Sequence, residues 1–227
     1  MRYGFTVWVG EIMAAAIRAR LEVVAWTVLT GAIGYFVLRD VPQYADFSSA
    51  AYNDFPRTRF YLVPHLVGAG LGILAGLLQF SARIRRQWPV VHRVSGRIYV
   101  IGCLVGAPAA AMLALNSDCV TCRPALGSLA VYWFATTLVA FIFIRQRSFA
   151  AHRAFMIRSF VAMNVFVIVR IGYLLAGAAG REPSVRTMVE FTCVFAPLLL
   201  CEAWLSWSSD VRAGAAAARK IGARKAG

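Results

Sequence analysis

Acidic side chains are scarce in this chain. Ten Asp and Glu stand against 24 Lys and Arg, and charged residues of both signs make up only 15% of the 227 positions. A soluble domain normally carries about 25%. Histidine is scarcer still, with three copies. No pair of carboxylates at catalytic spacing, no His-Glu-x-x-His and no nucleophile–base motif is present, which excludes the commonest hydrolase signatures. No Gly-Lys pair occurs anywhere, so a phosphate loop of the G-x-x-x-x-G-K-[ST] type is excluded as well. Cys119 and Cys122 are followed by Arg123 rather than His, which excludes covalent attachment of c-type haem.

What the chain has instead is apolar length. It is 60% hydrophobic with a mean hydropathy of +0.65, and its charges cluster between apolar runs long enough to cross a bilayer core of ~30 Å. The expected fold is all-α: a polytopic transmembrane bundle of six spans over 21–38, 61–80, 97–115, 125–144, 156–177 and 187–207. Pro89 is suited to start the third helix early, and Ser148 to cap the fifth several residues before its apolar part. Residues 1–20 lack the order of a cleavable signal peptide and read as a cytoplasmic or interfacial arm. Residues 208–227 read as a basic tail, a frayed helix end at an anionic leaflet. The formal charge of +14 would point to nucleic acid in a soluble protein. Here it decides orientation. Seventeen Lys and Arg fall on one side of the spans and six on the other, so the positive-inside rule places both termini in the cytoplasm.

A repeat lies across these spans. "RIRRQWPVVHR" leads into the third, and "IRQRSFAAHR" leads into the fifth. In both, an arginine precedes the histidine by seven residues, at Arg85 and Arg145. The offset of 60 between His92 and His152 brings both to a similar depth at the cytoplasmic face. Two readings follow. The first makes His92 and His152 the axial ligands of one b-type haem, a ligation that helix bundles readily provide. Arg93, Arg97, Arg153 and Arg158 would then hold the propionates, and Gly96 would leave room for the ring. The second makes each His-Arg a lipid-phosphate anchor at a helix foot.

His65, near the outer end of the second span, has no histidine or methionine counterpart in the fourth, so a second bis-histidine haem is excluded. Arg170 is the one basic residue deep within a span, at a cost of about 2.5–3.5 kcal/mol mid-bilayer. Glu190 enters from the same outer end, near enough in depth to pair with it. His65, Arg170 and Glu190 therefore form a second candidate site, for an anionic or quinone-like ligand or for protons. A packing ion pair is the alternative. Glu202 is within reach of Arg158 or Arg97, as a helix lock. Cys119 and Cys122 stand in an outer loop, as a local disulfide or a redox pair. Gly68, Gly70, Gly72 and Gly76 have the small-residue spacing of close helix approach.

The order "HLVGAG", "LLQF", "HRVSGRIYV", "WFATT", "HRAFMIRSF" resembles a bacterial family of predicted multi-pass membrane proteins, domain of unknown function 2306. The likeness runs over about residues 60–175. His65, His92, Arg97, His152, Met156, Arg158 and Arg170 match positions of its pattern. The resemblance implies membership and a place in the bacterial inner membrane, with no established activity. Histidine-bearing helices of this layout also resemble, more loosely, the cytochrome b561 group. That group uses four histidines for two haems, and this chain has three, leaving room for one haem b.

The favoured expectation is a membrane redox protein with one haem b between His92 and His152. The competing one is a non-redox carrier or accessory subunit whose polar site is His65, Arg170 and Glu190. Expected partners are the bilayer, anionic lipids at the cytoplasmic face, and a second copy or a membrane redox protein. Nucleic acid is not among them.

Overall fold

The computed structural model describes residues 20, 24, 27–39, 41–44, 46 and 59–226, with backbone alone from 210 onward. The chain divides into two units, 1–54 and 55–227. The described part of the first holds helix α1 (Thr27–Arg39) and a 3-10 turn at Pro42–Tyr44. The expected interfacial arm, apart from Arg20, lies outside the described residues, as does much of the start of the expected first span. What is described of that span, α1, has fewer than 18 residues, too short for a ~30 Å core.

The second unit contains α2 (Arg59–Phe80), α3 (Ala82–Gln87), α4 (Pro89–Leu115), α5 (Arg123–Arg145), α6 (Phe149–Ala176) and α7 (Pro183–Ala226), with 3-10 turns at Val120–Cys122 and Gly177–Arg181. Every regular element among the described residues is helical. Five helices are long and apolar enough to cross a membrane: α2, α4, α5, α6 and the stretch of α7 up to Ser209. That is one fewer than the six spans expected. The basic segment after 208 continues α7 as helix to Ala226.

Helix limits follow from local chemistry. α4 begins at Pro89, where the missing N–H would have had no partner, and α6 begins just after Ser148, whose hydroxyl makes no capping bond. Both helices therefore start well before the apolar runs at 97 and 156. α5 ends in a Schellman turn: Ser148 N–H donates to Phe143 O at 2.9 Å and Arg147 N–H to Ile144 O at 3.1 Å. Arg147 takes the left-handed position, with φ 60°. Gly177, at φ 55°, closes α6, a conformation in which glycine alone is free of a Cβ clash.

α2, α4, α5 and α6 form a four-helix ring in which each neighbour is adjacent, and α7 lies outside against α6 and α5. The tightest contact is α2 on α4. A Cβ on Gly102 would stand 2.7 Å from Gly68 O, and one on Gly106 would stand 3.2 Å from Ala69 N. The backbones touch because neither side carries a side chain there. Gly70 faces open space, so it lies outside this seam. The outer surface carries exposed Val, Leu, Ile and Phe, as a lipid-facing bundle should. Trp88, Trp204 and Trp207 are exposed toward the end where α4 begins and the membrane stretch of α7 finishes, the place of an aromatic belt.

Candidate functional site

His92 is the fourth residue of α4 and His152 the fourth of α6. Each donates its backbone N–H to the carbonyl just before its helix, Trp88 O at 3.1 Å and Ser148 O at 2.9 Å. Seven residues on, two turns along the same face, stand Tyr99 and Ser159. Their hydroxyls meet at 2.8 Å, so α4 and α6 face each other diagonally across the ring and in register.

The register holds further along. Cys103 Sγ and Met163 Sδ both close on the space where Gly72 lacks a side chain, 3.3 and 2.7 Å from an added Cβ. His65 bridges the next pair: its Nδ1 lies 3.1 Å from Gly106 O, and its ring meets Phe166 edge-on at 6.4 Å. Each pair is separated by the same 60 positions as the two histidines. The sequence repeat is thus a structural one.

Between the histidine level and His65 lies a hydroxyl chain with a fixed sense. Thr137 donates to Trp133 O at 2.8 Å, because a carbonyl only accepts. Ser159 must then donate to Thr137 across 2.6 Å, and Tyr99 to Ser159. All three side chains are buried. The chain ends on a backbone carbonyl, so it ties α4, α5 and α6 together and offers no onward path for a proton.

At the histidine level, His152 Nδ1 lies 2.8 Å from Ala140 O. The carbonyl requires N–H there, which leaves the lone pair on Nε2. His92 Nδ1 is buried with no hydrogen-bond partner, and His152 and Arg85 both lie within its electrostatic reach. Gln79 of α2 holds this end of α4 by donating to His92 O at 2.8 Å and to Ser95 Oγ at 2.6 Å. Gly96 makes room for Gln79, whose Oε1 would be 3.1 Å from a Cβ there. Met156, one turn after His152, is buried. Sequence patterns did not single out Gln79, Tyr99, Ser159 or Thr137; the one signal available was the 60-residue offset, which pairs Tyr99 with Ser159 as it does His92 with His152.

The arginines divide. Arg93, Arg97 and Arg153 are exposed. Arg158 donates Nε and Nη2 to the two oxygens of Glu202, each at 2.7 Å, and Tyr132 donates to the same carboxylate at 2.9 Å. This is the expected helix lock, and it holds α7 against α5 and α6. It is the only ion pair among the described residues.

The outer candidates are not drawn into one hydrogen-bonded cluster. His65 sits inside the ring, edge-on to Trp133 at 6.3 Å. Arg170 is exposed, its guanidinium 4.9 Å over Phe166, so His65 and Arg170 meet only across that ring. Glu190 is buried and accepts from Tyr173 at 2.8 Å, while its Oε2 has no partner. Cys119 and Cys122 form a disulfide at the far end of α4 from His92. Cys103, Cys193 and Cys201 are free. No group of three or more His, Cys, Asp or Glu able to hold a metal occurs among the described residues.

No curated protein and no solved structure matches this chain, and the looser likeness to the cytochrome b561 group gains nothing from these comparisons. A family model described as predicted membrane protein, DUF2306, matches residues 62–205. That range takes in α4, α5 and α6 whole, nearly all of α2 and most of the membrane stretch of α7. This integral membrane protein belongs to the family called domain of unknown function 2306.

Proposed function

We propose that the protein is a membrane redox carrier that holds one b-type haem between His92 and His152. The observation that carries this reading is the pair itself. One imidazole is anchored so that Nε2 presents a lone pair, and the other, in register on the diagonal helix, has a buried ring nitrogen without a partner. A buried polar atom left bare costs about 1–3 kcal/mol unless something meets it. Bound there, haem supplies one-electron transfer. His92 and His152 would hold the iron, and the exposed Arg93, Arg97 and Arg153 would hold the propionates. Arg158 is engaged by Glu202 and acts on helix packing instead.

Loop charge supports placing this end at the cytoplasmic face. The disulfide at the opposite end fits an oxidising compartment. On the same grounds we place both termini inside and count the segment around α1 as a sixth span.

The test is a reduced-minus-oxidised absorbance spectrum of the full chain, expressed with ample haem supply. Wild type should show b-type bands, and His92→Ala and His152→Ala should each lose them. Absent bands in wild type would sink the reading in favour of lipid anchoring. Bands that survive replacement of both histidines would place the haem elsewhere.

A further inference from the structure

The seam between α6 and α7 carries an acid and a base that do not meet. Gly172 lets α7 come close, since a Cβ there would lie 2.7 Å from Cys193 Sγ and 3.0 Å from Val189 Cγ1. Glu190 is thereby held against α6, with only 7% of its surface exposed. Tyr173 donates to Oε1, and Oε2 is buried with nothing to accept from. Arg170 and Arg186 both act electrostatically on Glu190, yet among the described residues neither forms an ion pair with it. Arg170 instead lies exposed on the flank of the bundle, over Phe166.

Two opposite charges side by side in a bilayer would lower their cost by pairing. Left apart, they fit a third party that accepts from the guanidinium and donates to the bare carboxylate oxygen. Depth selects its class. Arg170 lies six residues before the end of α6 and Glu190 seven after the start of α7. At ~1.5 Å per residue both sit roughly 10 Å inside the helix ends, below the level of phospholipid phosphates. The surrounding surface is apolar, with Leu174, Phe191 and Phe195 exposed. A neutral, lipid-soluble ring with oxygens of both hydrogen-bonding roles matches all of this.

We propose that the α6–α7 seam binds the head of a lipid-soluble quinol, one hydroxyl donating to Glu190 Oε2 and a ring oxygen accepting from Arg170. The site is independent of the haem reading. Purified full-length protein in detergent is titrated anaerobically with a short-tailed benzoquinol, and binding is followed by calorimetry and by the shift in melting temperature. Wild type should bind saturably and melt higher with ligand. Glu190→Gln and Arg170→Gln should each weaken binding at least tenfold, while Glu182→Gln, on the outer turn, binds as wild type does. Circular dichroism of each variant separates lost binding from lost fold, and the His92/His152 haem spectrum should be unchanged in Glu190→Gln. No saturable binding by wild type, or equal binding by all variants, overturns the proposal. Displacement of the quinol by phosphatidylethanolamine at equimolar amounts would reassign the seam to a headgroup and overturn it too.

Discussion

Arg147 is held in a left-handed conformation, φ 60°, in the turn that joins α5 to α6. An L-residue with a Cβ pays about 1 kcal/mol or more there, whereas glycine does not. Arg147→Gly should therefore stabilise the protein by about 1 kcal/mol, read as a higher midpoint in a denaturant titration in micelles. A lower midpoint would mean that the Arg147 side chain holds the turn by a contact that outweighs the strain. Single residues were unevenly legible in the sequence. His92 and His152 stood out because each heads an apolar run behind the same basic pattern. The Arg158–Glu202 lock was within reach of the sequence because two opposite charges shared one depth. The same reasoning offered Glu190 to Arg170, but geometry gives its hydrogen bond to Tyr173, since an ion pair needs orientation as well as depth.

At the scale of elements, packing is set by what the helices lack. Gly102 and Gly68 bring the backbones of α4 and α2 together, and the nearest atom to a Cβ at Gly102 is a backbone oxygen. A backbone cannot rotate aside, so Gly102→Leu should separate the helices and cost about 1–3 kcal/mol or more. Gly70→Ala, which faces open space, should leave the melting temperature within error of wild type. A loss from Gly70→Ala as large as that from Gly102→Leu would overturn the close-approach account, because alanine and leucine both favour a helix more than glycine does. The glycine run was visible in the sequence, but which glycines point inward was not. In a soluble helix the apolar stripe marks the buried face. In these helices lipid and protein are equally apolar, so periodicity is silent and the inward face shows only in glycines, hydroxyls and histidines.

For the whole molecule, the all-helical fold and the positions of α2, α4, α5, α6 and α7 were legible because membrane-spanning length is a compositional signal. The first span was not settled by that signal, for an apolar run of spanning length gives α1, with fewer than 18 residues, among the described positions. Orientation rests on loop charge and has a direct check. A membrane-impermeant maleimide applied to intact cells should label Glu182→Cys on the outer turn and spare Arg86→Cys in α3. The reverse pattern would invert the molecule and move the histidine end outside.

The two histidines belong to opposite corners of the ring, on helices joined by the tyrosine–serine bond. Whatever spans them becomes a cross-brace, and its binding free energy becomes folding free energy. By mass action, a ligand at a hundred times its dissociation constant adds about 2.7 kcal/mol. Thermal stability is therefore a second readout of the proposed site: haem should raise the melting temperature of wild type and leave that of His92→Ala unchanged, and equal shifts in both would count against the histidine pair as its ligands.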